Sequence, residues 1–368
     1  MEAARNGPRT AMDRVDRYCG VALVQQYQVV QHAPDAIEVR LVVKRMLGTN
    51  QQAVLARIIR DALGHPFRLS LHYFADAIPP CSGRQIRGVH PYMRLSHLLP
   101  LFGVALVAAC ASFPSPDERR QQASILAQRQ HWQALQLQTG IFRVQAYAPS
   151  ARSEELTIYL EGDGFAWLNS RQSSADPTPL DPIALRLALA QPSGNAAYLG
   201  RPCQYLDADR EPCQKRYWTD ARFAEEVVHS LDQAAEQLKV RAGAQRLVLI
   251  GYSGGGALAL LLAARREDVA RVITVAGNLD HAAWTRHHRV TPLQDSLNPA
   301  DLRPALAMRQ QVHLVGSLDR VIPPELAAAF VAGYPAGNHA LVKVMEGYDH
   351  HCCWADNWAQ LWRQNTQP

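Results

Sequence analysis

The chain has 368 residues, 48% hydrophobic and 19% charged, with 38 Lys and Arg against 33 Asp and Glu, a formal net charge of +5 and a pI near 8.9. That composition excludes collagen-like, mucin-like and disordered classes, and the length allows two to three average domains or one large α/β domain with additions. The basic excess lies in residues 1–110, which hold 13 Lys and Arg against 7 Asp and Glu, whereas residues 111–368 hold 25 against 26. No basic run forms a patch in either part, so no nucleic-acid partner is expected.

In chain order, strand-like segments come first, at Gln26–Gln31 and Ile37–Val43. A helical stretch follows from Gln51 to Leu63, with Val54, Leu55, Ile58, Ile59 and Leu63 at helical spacing, and then a turn-rich stretch from Ile78 to Arg84. This order resembles the small C-terminal subdomain of adenylate-forming ligases of the phenylacetate–coenzyme A ligase type. The family's Lys near the last turn is replaced by Arg84, and the nucleotide-binding core is absent, so no ligase activity is expected.

Residues 93–110 read as a targeting segment. A basic start at Met93-Arg94-Leu95-Ser96-His97 precedes an apolar run from Leu98 to Ala109, too short to span a bilayer as a helix. The exit Val107-Ala108-Ala109-Cys110 resembles the lipobox of bacterial lipoproteins, which implies lipidation of the Cys110 thiol and cleavage before it. Ala111 in the next position resembles outer-membrane sorting in proteobacterial lipoproteins. The competing reading is a buried helix ending in Ala-Ala-Cys. A leader works at an N-terminus, so the expectation is that residues 1–92 stem from an upstream frame or an early start, with Met93 as the true start; a genuine fusion is the rival.

Residues 111–140 are Gln-rich and polar, and suit a tether plus a first helix. From 141 onward strands and helices alternate. Strands are expected at Ile141–Tyr147 (a half-exposed edge), Leu156–Leu160, Asn195–Leu199, Arg246–Ile250, Val272–Ala276, Val312–Val315 and Ala340–Met345. Helices are expected at Arg222–Val240, Gly256–Arg266, Glu325–Val331 and Trp354–Arg363. Continuous apolar strands between helices mean a mostly parallel sheet covered on both faces, with its ligand at the carboxyl ends of the strands.

At the end of the most apolar strand stands Gly251-Tyr252-Ser253-Gly254-Gly255, a Gly-x-Ser-x-Gly nucleophile elbow between strand and helix. Small residues two before and two after the Ser let strand and helix approach. A Ser nucleophile needs a base, and the base an orienting acid. Asp319 lies four residues past the strand ending at Val315, where the acid belongs, although Asp there also serves Asx-turns and helix caps. After the last strand, Gly347-Tyr348-Asp349-His350-His351 offers His350 as base, with His351 as alternative. Oxyanion donors are expected at the Gly254 N–H and at Asp163 or Gly164, in the turn Glu161-Gly162-Asp163-Gly164-Phe165 after an earlier strand.

Elbow, acid and base in this order resemble the α/β-hydrolase superfamily over about residues 141–368. Asn278-Leu279-Asp280-His281 and His350-His351-Cys352-Cys353-Trp354 look like a group of bacterial lipoprotein hydrolases. The resemblance implies an α/β-hydrolase fold and cofactor-free serine hydrolysis of an ester, thioester or amide, with a small-molecule or lipid-like acyl substrate. The rival is a non-catalytic lipoprotein that uses the fold to bind a partner. With Cys110 lipidated, Cys203, Cys213, Cys352 and Cys353 remain as disulfide candidates, since an oxidising periplasm favours pairing and four Cys allow three connectivities. His350-His351-Cys352-Cys353 looks like a set of metal ligands, but no metal is expected there, because four consecutive ligands do not easily converge on one ion. Residues 278–304 are expected to cap the sheet's carboxyl edge, and Phe165, Trp167, Tyr252, Trp218 and Trp284 are candidates to line the pocket.

Overall fold

The computed structural model describes residues 24–33, 36–43, 52, 68–74, 86–88, 114–169, 172–206 and 212–366. It divides into two compact units, Met1–Ser112 and Phe113–Pro368. In the first unit, β1 (Val24–Ala33), β2 (Ala36–Val43), β3 (Arg68–Phe74) and β4 (Ile86–Gly88) form a sheet in the order β3-β2-β1-β4. β1 runs antiparallel to β2 and β4, and β2 parallel to β3. The strands expected at 26–31 and 37–43 fall in β1 and β2. The remainder of the expected helix at 51–63 beyond Gln52, the turn at 78–84, and the leader 93–110 with Cys110 lie outside the described residues.

The second unit opens with helix α1 (Pro116–Arg129), closed at its start by a Ser115–Glu118 capping box. Strands β5 (Gln133–Thr139), β6 (Phe142–Ala148) and β7 (Glu155–Leu160) follow, then a short hairpin of β8 (Trp167–Asn169) and β9 (Gln172–Ser173). The chain continues through α2 (Ile183–Leu189), β10 (Asn195–Leu199), α3 (Glu225–Ala242), β11 (Arg246–Tyr252), α4 (Gly254–Ala263) and β12 (Val269–Val275). It ends with α5 (His281–His288), α6 (Arg303–Leu306), β13 (Gln310–Gly316), α7 (Pro324–Ala332), β14 (Ala340–Met345) and α8 (Trp358–Thr366).

The eight-stranded sheet has the order β14-β13-β12-β11-β7-β10-β6-β5. Its six strands from β14 to β10 are mutually parallel, whereas β6 and β5 add on antiparallel. The first helix expected within 111–140 is α1, but the edge strand is β5, not Ile141–Tyr147. In β5, Leu135 and Leu137 pack toward the core while Ala134, Gln136 and Gln138 face solvent. β6, with five of its last six positions buried, lies one strand further in.

Strand alternation sorts the core into two faces. Leu247 and Leu249 point to one cluster, with Val227, Leu231 and Leu238 of α3 and the wholly buried α4. Val248 and Ile250 point to the other, with Ala123 and Ala127 of α1, Leu185 and Leu187 of α2, and Trp358 of α8. A helix apolar all round, such as α4, has to be buried. On the second face the Trp358 indole N–H donates to the Tyr159 hydroxyl at 2.8 Å, so this buried polar pair is satisfied. β7 is flanked by β10 on one side and β11 on the other, so the chain reverses its direction of advance there. The loops after β7 and β11 therefore open the crevice where ligands of such sheets bind.

Candidate active site

Ser253 stands between β11 and α4 with φ 51° and ψ −119°. A non-glycine residue at such a φ is strained and needs its surroundings to hold it. The Ser253 N–H donates to the Val275 carbonyl at 2.9 Å, and its carbonyl accepts from Gly256 at 2.9 Å and Asn278 at 3.0 Å. The flanking glycines are steric necessities. A Cβ on Gly251 would overlap the Gly255 carbonyl, and one on Gly255 would overlap the Leu160 carbonyl on β7. Strand, elbow and helix thus approach closer than any side chain allows.

The loop after β13 carries Asp319, whose Oδ1 accepts the N–H groups of Val321 and Ile322, both at 2.8 Å. Its Oδ2 faces His350 Nδ1 at 2.8 Å, and His350 Nε2 faces Ser253 Oγ at 3.0 Å. Asp319 and His350 are both buried. The His350 carbonyl accepts from the Tyr252 hydroxyl at 3.0 Å, which ties the histidine loop to the residue before the nucleophile. Asp349 caps the same loop, accepting the N–H of His351 at 2.8 Å and of Cys352 at 2.6 Å. His350 is the histidine brought to Ser253; His351 is an exposed residue whose ring lies 5.1 Å from that of His350.

On the opposite side of Ser253 lies the turn after β7. Gly254 opens α4, so its N–H has no acceptor within the helix. Glu161, fully buried, accepts the Gly162 N–H at 2.9 Å and the Tyr198 hydroxyl at 3.1 Å. Burial pushes its carboxyl up to about 7 against the opposing pull of those bonds. Gln204 donates to the Gly162 carbonyl at 3.0 Å. The Asp163 carboxylate is gripped by two guanidinium groups, Arg201 on one oxygen and Arg222 on the other. Burial alone would raise its pKa, but Arg222 and Arg201 outweigh that and hold it below the ordinary carboxylate value. Asp163 is a sequence candidate through its backbone N–H; the roles of Glu161, Arg201 and Arg222 have no local motif. The one available signal is a carboxylate at each end of the tripeptide Glu161-Gly162-Asp163 that follows an apolar strand.

The other candidates scatter. Trp218 is corrected from pocket wall to core: it closes a 3₁₀ turn, Lys215–Trp218, packs beside Tyr217 and Phe223, and donates its indole N–H to the Ser174 carbonyl at 3.1 Å. Trp167 is exposed on the β8–β9 hairpin, and Phe165 lies half-buried with the Arg119 guanidinium 5.4 Å from its ring centre. Trp284 on α5 donates to the Val321 carbonyl at 2.7 Å, and His288 Nε2 lies 2.9 Å from the same oxygen. The 278–304 excursion is therefore fastened to the loop that carries Asp319. Cys203 is bonded to Cys213, and Cys352 to Cys353. Among the described residues, no group of three or more His, Cys, Asp or Glu could hold a metal, and no helix is long and apolar enough to cross a membrane.

Sheet order, elbow and the chain order Ser, Asp, His are those of the α/β-hydrolase fold. No protein-family model matches the chain, and a search of curated proteins returns no match. Among solved structures, it is similar to the Pyrococcus furiosus esterase Pf2001, with 9% identity over 65% of this chain and 93% of that one and a TM-score of 0.46. It is also similar to Est1E from Butyrivibrio proteoclasticus, with 13% identity, coverage of 63% and 96%, and a TM-score of 0.43. TT1662 from Thermus thermophilus gives 19% identity, coverage of 65% and 100%, and a TM-score of 0.42.

Proposed function

We propose that the chain is a serine hydrolase of carboxylic esters, with thioesters or amides as related substrates. One observation carries the reading: the continuous line from Ser253 Oγ to His350 Nε2 at 3.0 Å and from His350 Nδ1 to Asp319 Oδ2 at 2.8 Å. With its Nδ1–H donated to Asp319, His350 presents an Nε2 lone pair to the Ser253 hydroxyl. Ser253 Oγ attacks the acyl carbon while His350 takes its proton. The carbonyl oxygen becomes an oxyanion, held by the N–H of Gly254 and of Asp163 or Gly164. His350 then protonates the leaving alcohol, and the C–O bond to it breaks, leaving an acyl-serine. Water repeats the cycle, losing its proton to His350 and releasing the carboxylic acid. Every proton is returned within one turnover, so the scheme needs no cofactor.

The reading includes a location. Lipidation of Cys110 would tether the unit from residue 113 onward to the periplasmic side of a bacterial envelope, probed by incorporation of labelled palmitate into the native protein and its loss in Cys110→Ser. The catalytic reading is tested on purified chain with a p-nitrophenyl ester. Turnover lost in Ser253→Ala supports it; undiminished turnover in that variant overturns it.

A further inference from the structure

The turn after β7 is held by more polar contacts than a strand-end turn needs. Arg201 and Arg222 are almost wholly buried, at 3% and 5% exposure, and both are aimed at one carboxylate, that of Asp163. Each guanidinium is anchored again from behind. Arg201 also donates to the Arg222 carbonyl and stacks over the Phe223 ring at 5.3 Å, and Arg222 Nε donates to the Thr219 carbonyl at 2.5 Å. Planar forks fixed this way set the direction as well as the distance of the carboxylate.

The clamp also touches the elbow. A Cβ on Gly254 would overlap Asp163 Oδ1 and come within 3.1 Å of Arg201 Nη1. Asp163 therefore lies directly on the residue that follows the nucleophile, with nothing between. A buried ion triad is costly to desolvate and weak as a stability device, so its place here calls for another role.

The geometry points to the Arg201–Asp163–Arg222 triad as a positioning clamp for the oxyanion turn. It fixes the backbone N–H groups of Asp163 and Gly164 relative to that of Gly254. The inference rests on the serine-hydrolase reading. The burial of both guanidinium groups and their commitment to Asp163 and to backbone carbonyls argue against direct contact with substrate. Arg201 and Arg222 act through Asp163 as positioning residues.

The test compares wild type, Asp163→Asn and Arg222→Lys, each as the full chain, in p-nitrophenyl acetate hydrolysis. Inhibition by a trifluoromethyl ketone, which forms a tetrahedral oxyanion on Ser253, is measured alongside. A misplacement near 1 Å in such a site costs about 100-fold. The clamp predicts a kcat loss of about 100-fold in Asp163→Asn and about 10-fold in Arg222→Lys. KM should stay within about 2-fold, and the ketone Ki should rise in proportion to the loss in kcat/KM. Arg222→Lys keeps the charge, so it carries the test should Asp163→Asn fail to fold. Wild-type kcat and Ki in a folded variant overturn the clamp, as does a raised KM confined to esters of anionic acids with kcat unchanged, which would mark a substrate contact. Failure of the parent reading is distinct: Ser253→Ala would then turn over ester as fast as wild type.

Discussion

Glu161→Gln separates the two carboxylates of the oxyanion turn by the sign of their pH response. Glu161 titrates near 4.5 when solvated and at about 7 in the folded chain, because burial disfavours its charge. A group whose folded pKa is raised contributes its stability in full below pH 4.5 and loses it as pH rises through 7. The span of about 2.5 units corresponds to about 3 kcal/mol of unfolding free energy. Below about pH 7 the neutral acid of the folded chain can donate to the Tyr198 oxygen, 3.1 Å away, while Tyr198 donates on to Tyr205 at 2.9 Å. Gln at 161 reproduces that donor and still accepts from Gly162, but does not ionise. Urea unfolding of both proteins from pH 4.5 to 8 gives the difference directly, and other titrating groups, such as His313 pushed down to about 3 by burial, cancel in it. The Gln variant should gain about 3 kcal/mol over wild type across that range, nearly all between pH 4.5 and 7.5. A difference that stays flat refutes the assignment of a neutral, buried Glu161.

Other outcomes follow from the same geometry. His350→Ala should lower kcat by at least about 1000-fold, whereas His351→Ala should stay within about 3-fold, measured on the same nitrophenyl ester. The Cys203–Cys213 bond closes a loop with a sequence separation of 10, so Cys203→Ser with Cys213→Ser should cost about 3 kcal/mol in denaturant unfolding.

Much of this was legible because sheet and site each leave a periodic or spaced trace. The apolar strands at 156–160, 195–199, 247–250 and 312–315 are buried on both faces, and their residues say so without alternation. The elbow was legible for a steric reason, since only glycine fits at 251 and 255. Strand β5 hid behind its composition: five of the residues from Gln130 to Gln138 are Gln or His, and only Leu135 and Leu137 mark the period of two. Trp218 misled because a large aromatic near a site can equally be core, and the donor that settles it, Ser174, lies 44 residues away. The Arg201–Asp163–Arg222 contacts span 38 and 59 residues and leave no local pattern at all. The choice between His350 and His351 likewise waited on the backbone, through the Tyr252 bond that turns His350 inward.

The central claim is that Ser253 is a nucleophile activated by His350. It is tested most directly by treating the folded chain at neutral pH with a fluorophosphonate probe and mapping the adduct by peptide mass spectrometry. The account predicts a single adduct on Ser253, absent from Ser253→Ala and strongly slowed in His350→Ala. An unlabelled Ser253 in folded protein, or an adduct on another residue, would contradict it.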